Sequence, residues 1–156
     1  MELITFRRLT EDEKLFYLTK AAKEDRLKWI FDIKEINWKY IESQVIYAGF
    51  YAGEIVGFYY FYNLNENTCS IAFGYFGKFS RNVLAVIRHC LKSFRTQYGI
   101  IGEVNELNTA TIRLCRTYLE YPQEFILEKA DKNNTNRHIF YWKKTTESEV
   151  KNGKRQ

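Results

Sequence analysis

The sequence predicts an α/β fold whose strands and helices follow in the order β-α-α-β-β-β-α-β-α-β-β. Three observations carry that reading. Runs of β-branched and aromatic residues, Val45 to Tyr51, Ile55 to Tyr62 and Thr68 to Phe76, are separated by turn residues, as strands are. Two amphipathic stretches, residues 81–97 and 108–119, bracket a short apolar run from Ile100 to Val104. A capping box opens a helix at Thr10, close to the start. Such an order excludes simple bundles, sandwiches and doubly wound sheets.

Each element follows from local chemistry. Leu3 to Leu9 alternates through Ile4, Phe6 and Arg8 as a first strand. Thr10-Glu-Asp-Glu13 starts a helix with acids in its first turn, continuing to about Phe31 through Leu15, Leu18, Ala22, Leu27 and Ile30. Asp32 restarts a second helix through Ile33, Ile36, Tyr40 and Ile41. Two strands then meet in a hairpin around Ala52-Gly53-Glu54, and after the polar loop Asn63 to Asn67 a third strand completes a meander. From Arg81 to Gln97, Val83, Val86, Ile87, Cys90, Leu91 and Phe94 share one helix face, with Arg88, His89, Lys92, Ser93 and Arg95 opposite. Gly99 ends that helix, and Asn105 or Asn108 caps the next, which Pro122 stops. Phe125 to Lys129 and Arg137 to Lys143 form a last hairpin across Asp131 to Asn136.

A chain of 156 residues is most simply one domain, here residues 1–143, followed by a polar, basic tail, 144–156, expected to be disordered. Hydrophobic residues at 46% and charged residues at 28% suit a globular fold, and the 17% aromatic share favours strands. No apolar run approaches the ~18 residues of a membrane span, and the first residues lack a signal-peptide layout. Cys69, Cys90 and Cys115 are odd in number and widely spaced, which points to reduced thiols in a cytoplasmic chain and to no metal site. Net charge is +5, of which residues 143–156 hold +3, so general nucleic-acid binding is disfavoured.

The most informative stretch is Ile71 to Tyr118. A strand there hands a short loop, with Gly77, Lys78, Ser80 and Arg81, to a helix N-terminus, a usual device for holding a phosphate. No Asp or Glu occurs between Asn67 and Gly102, while Lys78, Arg81, Arg88, Lys92 and Arg95 supply five cations. An anionic ligand fits that balance. A solvated basic helix face is the plain alternative.

The element order and the segment Asn108-Thr-Ala-Thr-Ile-Arg-Leu-Cys-Arg-Thr-Tyr-Leu-Glu120 resemble the GNAT superfamily of acyl-CoA N-acyltransferases, over about residues 3–143. Asn108 stands at the head of a helix like the family's, Leu114 falls on its Leu, and Cys115 falls where the family has Tyr. Glu103-Val-Asn105 looks like the strand that splays from its neighbour to admit pantetheine. The family's phosphate loop, Gln/Arg-x-x-Gly-x-Gly/Ala, is replaced by Phe76-Gly-Lys-Phe-Ser-Arg-Asn82, with one glycine instead of two. The resemblance implies a mixed, mostly antiparallel sheet flanked by helices. It also implies a coenzyme A thioester, acetyl-CoA, as co-substrate and an amine as acceptor.

On that resemblance, Gly77, Lys78, Ser80, Arg81 and Asn82 hold the pyrophosphate, the strand with Phe73, Tyr75 and Phe76 holds the pantetheine, and Asn108 and Cys115 complete the cofactor site. Tyr118 protonates the leaving sulfur, and Glu103 takes the amine's proton, directly or through water. The plain alternative makes Tyr118 a core aromatic and Glu103 a solvated strand residue. A nucleophilic role for Cys115 is disfavoured, since His89 and His138 lie on an exposed helix face and in the last hairpin. A looser resemblance, through Gly77 to Arg81 and Asn108 to Tyr118, is to GNAT-like proteins of tailed bacteriophages. It implies a competing class, an inactive virion or host-takeover protein, found in host cytoplasm or virion. In either case the aromatic run Phe58 to Tyr62 cannot all face inward, and part of it is expected to meet a helix, a ligand or a partner protein.

Overall fold

In a computed structural model of the chain, residues 3–19, 27–29, 38–77, 79–131 and 133–146 are described. The chain falls into two compact units, Met1–Phe61 with Ala72–His89, and Tyr62–Ile71 with Cys90–Gln156. The elements form a mixed, mostly antiparallel sheet with flanking helices.

In the first unit, β1 (Thr5–Arg8) pairs antiparallel with β3 (Tyr47–Tyr51), and β3 with β4 (Glu54–Tyr62). The β3–β4 turn places Ala52 at φ 51° and Gly53 at φ 81°, the left-handed pair whose twist matches the flanking strands. Next to β4 runs β5 (Thr68–Phe76), followed by α3 (Phe79–Phe94). Gly57 of β4 lets that helix approach closely, since a Cβ there would stand 2.5 Å from Val86 Cγ2.

The capping box forms as read. Thr10 Oγ1 accepts from Glu13 N–H, and Glu13 Oε1 accepts from Thr10 N–H. The helix it opens, however, is short. After α1 (Glu11–Lys14) the chain passes into a π-helical stretch, Leu15–Thr19. The expected continuation to Phe31 is overturned at β2 (Leu27–Trp29), which pairs antiparallel with the end of β5. Apolar residues near helical spacing can equally meet a strand's needs over three residues, and here tertiary pairing decided. The expected second helix is described only as α2 (Trp38–Ser43), and its start lies outside the described residues.

The first unit's core answers the question posed by Phe58 to Tyr62. Phe58, Tyr59 and Tyr60 are all buried. Tyr59 stacks on Tyr47 and reaches His89 of α3, whereas Tyr60 meets Tyr40 of α2 edge-on. Helices thus cover both faces of the strand at these residues, leaving less of it for a partner protein.

In the second unit the start of β5 pairs parallel with β6 (Gly99–Asn105), β6 antiparallel with β8 (Arg137–Trp142), and β8 with β7 (Gln123–Leu127). Between β6 and β7 lies α4 (Thr109–Tyr118), and the buried Trp142 indole donates to the Leu119 carbonyl just beyond it at 2.8 Å. The expected tail begins later than Lys144, because Thr145 N–H donates to the Arg95 carbonyl. Residues 147–156, most of that tail, lie outside the described residues. No described helix is long and apolar enough to cross a membrane.

Candidate functional site

The join between β5 and α3 is the site to build first. β5 ends in the buried Phe76, after the buried Phe73 and the half-buried Tyr75, whose phenol is pushed up by desolvation. Any contribution of Phe73 or Phe76 to a ligand is therefore through the backbone. Gly77 follows at φ +79°, a left-handed conformation that glycine adopts without penalty. Among the described residues outside its chain neighbours, a Cβ there would meet only Asn82 Nδ2, at 3.7 Å, and Gly77 is exposed.

Asn82 is itself buried and turns its side chain back, donating from Nδ2 to the Phe76 carbonyl. The carbonyl that ends the strand is thereby occupied, while the first-turn N–H groups of α3 have no intrahelical acceptors. No acid stands in that turn. Arg81 is exposed, with its guanidinium 4.0 Å from the Tyr51 ring centroid. Stacking holds the cation beside the corner without neutralising it. Amide donors without intrahelical acceptors, an exposed glycine and a held cation form a set suited to an anionic oxygen cluster such as a phosphate.

Ser80 was expected in the loop and Arg81 at the junction of loop and helix, and the structure starts the helix two residues earlier. Helix α3 begins at Phe79, two residues after Gly77 takes the left-handed conformation, and no glycine or proline follows in the sequence to delay it. Lys78 lies outside the described residues. The rest of the basic run is dispersed: Arg88 and Lys92 are exposed, but Arg95 is spent on Glu120 and on the Lys143 carbonyl.

The edge of β5 matters as much as its end. Pairing with β6 covers Thr68↔Gly99 to Ser70↔Ile101, and at Gly74 to Phe76 the described partner is β2.

No family model matches this chain, and no curated protein does. Solved structures do match. An N-acetyltransferase from Staphylococcus aureus Mu50 superposes with TM-score 0.67 at 12% identity, over 90% of this chain and 97% of that one. The ribosomal-protein-S18-alanine N-acetyltransferase from Escherichia coli gives 0.66 at 12%, over 93% and 97%. A GNAT family acetyltransferase from Elizabethkingia anophelis with acetyl-CoA bound gives 0.57 at 18%, over 90% and 97%. The chain has the GNAT fold. At these identities the likeness concerns architecture, so the chemistry of this GNAT-fold chain rests on its own residues.

The remaining candidates lie in the second unit. Asn108 caps α4, its side chain accepting from Thr111 N–H at 3.3 Å. Glu103 is half-buried on β6 and ion-paired with Arg137 at 3.1 Å, and Arg137 also pairs with Asp131. Tyr118 closes α4 and is 55% exposed, so it is not a core aromatic. Cys115 is buried, and burial first, with Glu124 second, pushes its thiol up to about 12. That is an inert thiol, like Cys69 and Cys90, whose thiols burial also pushes up.

His89 sits differently from expectation, whereas His138 lies in the last hairpin as expected. His89 is half-buried: its Nδ1 lies 2.8 Å from the Tyr59 hydroxyl, and its ring stacks on Phe6 at 4.2 Å. His138 contacts Glu124 at 2.8 Å, and Arg116 binds the same carboxylate through two nitrogens. This Arg116–Glu124–His138 cluster escaped the sequence reading. Its members come from one helix and two strands, and no spacing rule joins them. Among the described residues, no group of acids, histidines and cysteines could hold a metal ion.

Proposed function

We propose that the protein is an acyl-CoA-dependent N-acetyltransferase, moving an acetyl group from acetyl-CoA to an amine. The observation that carries this is the β5–α3 corner, where the exposed Gly77 at φ +79° stands beside the N-terminal turn of α3 and the stacked Arg81. Pyrophosphate oxygens accept from the amides of that turn, and Arg81 (with Lys78 by its place in the sequence) balances their charge. The extended pantetheine arm, which carries two amides, lies along the β5 backbone by Tyr75 and Phe76. Tyr118, exposed at the end of α4, supplies the proton for the leaving thiolate, and Glu103 receives the amine's proton.

Calorimetry with acetyl-CoA tests this directly. Saturable binding is expected, weakened about tenfold or more in Gly77→Val, because a β-branched residue resists φ +79°. Absence of heat and of any thermal shift at millimolar acetyl-CoA would remove the reading.

A second reading has its own support: an inactive GNAT-fold structural or interaction protein, such as a phage virion or host-takeover protein. Glu103 is held by Arg137, and β2 pairs along part of the β5 edge. In that reading the loop has lost coenzyme A binding, so a folded protein that shows no heat and no thermal shift with millimolar acetyl-CoA would favour it.

A further inference from the structure

The end of β5 has two edges, and the structure accounts for both. On one lies β4: a Cβ at Gly57 would stand 3.2 Å from the Gly74 carbonyl oxygen, and β4 neighbours β5 in the sheet. Along the other edge β6 pairs with Thr68 to Ser70, and farther on β2 pairs with Gly74 to Phe76. A group anchored at Gly77 and extending back along β5 therefore meets Leu27–Trp29 within its first residues. Both need the same backbone N–H and C=O groups, which bond one extended partner at a time.

From this we propose that β2 is an internal competitor for acetyl-CoA, docked on the edge of β5 at Gly74–Phe76 and displaced when the pantetheine arm binds there. The proposal rests on the acyl-CoA reading above and adds a control to it. β2 is suited to the part: its described pairing with β5 covers three register pairs, fewer than the ~5–6 residues of an ordinary strand, a ladder small enough to exchange for a ligand. Apparent affinity then equals the intrinsic affinity reduced by the fraction of molecules with β2 undocked. A docked fraction near nine-tenths weakens binding about tenfold.

Two variants test the competition. In the double variant Leu27→Pro, Lys28→Pro one of two adjacent ladder donors toward β5 is lost whichever phase the pairing takes. Acetyl-CoA affinity by calorimetry is expected to rise about tenfold. The second variant, Trp29→Cys with Gly74→Cys, places thiols at register partners, so oxidation locks β2 down and reduction frees it. The oxidised form is expected to lose acetyl-CoA binding and the reduced form to recover it. Because both states share one sequence, this result does not depend on how the proline variant folds. If oxidised and reduced forms bind alike, the competition is refuted while the acyl-CoA reading stands. If wild type, proline variant and reduced form all fail to bind, both fall together.

Discussion

Asn82 Nδ2 donates to the Phe76 carbonyl, so the first turns of α3 hold the end of the strand that leads into them. Asn82→Ala leaves that buried carbonyl without its side-chain partner, a loss on the order of 1–3 kcal/mol. Thermal unfolding should show a clear fall in Tm, and acetyl-CoA binding should weaken with it. Asn82→Asp keeps the volume but cannot donate when ionised, so it should fail similarly.

Gly57 tests the contact between β4 and α3. In Gly57→Ala the new methyl meets Val86 Cγ2, placed 2.5 Å away, and the helix or strand must shift. Overpacking of this kind costs roughly 1–3 kcal/mol. Denaturant unfolding should show a lowered midpoint, and pairing Gly57→Ala with Val86→Ala should recover part of it.

At the β3–β4 turn the expected effect is stabilising. Ala52 sits at φ 51°, a conformation that asparagine tolerates better than alanine, before Gly53 in the turn that favours Asn-Gly. Ala52→Asn should raise Tm by a few degrees, measured by differential scanning calorimetry, if relief is about 0.5–1 kcal/mol.

The Arg116–Glu124–His138 cluster gives a pH dependence with a definite sign. Hydrogen bonding from Arg116 first, and also from His138, holds the Glu124 carboxyl below its usual range. Its stabilising contribution is thus present above the unfolded carboxylate value, near pH 4, and disappears as pH falls through the lower native value. Glu124→Gln should flatten stability against pH between about 5 and 3, followed by urea unfolding at each pH.

Thiol chemistry should be silent in the native state. Cys69, Cys90 and Cys115 are all buried, with Cys69 raised to about 11 and Cys115 to about 12. Ellman's reagent should react with none of the three rapidly near pH 8, and with all of them in guanidinium.

How much of this was legible in the sequence depends on range. The hairpin at Ala52-Gly53, the meander and the Thr10–Glu13 box were readable because each is set by neighbours within a few residues. The corner at Gly77 was readable in kind, though Ser80 and Arg81 belong to the helix. What failed was non-local. Leu27–Trp29 carries helical spacing yet pairs with Gly74–Phe76, and His89 looked solvated until Phe6 and Tyr59 were brought against it. Glu124 gained His138 and Arg116 through strand pairing and helix placement that no local pattern encodes.

Arg95 clasps the segment just past β8, at Lys143 and Thr145. Its guanidinium donates to the Lys143 carbonyl, and its own carbonyl accepts from Thr145 N–H. Ending the polypeptide at Trp142 forfeits both bonds and turns Arg95 loose except for Glu120. Any shortening of the polypeptide that keeps the clasp must therefore retain residues through Thr145.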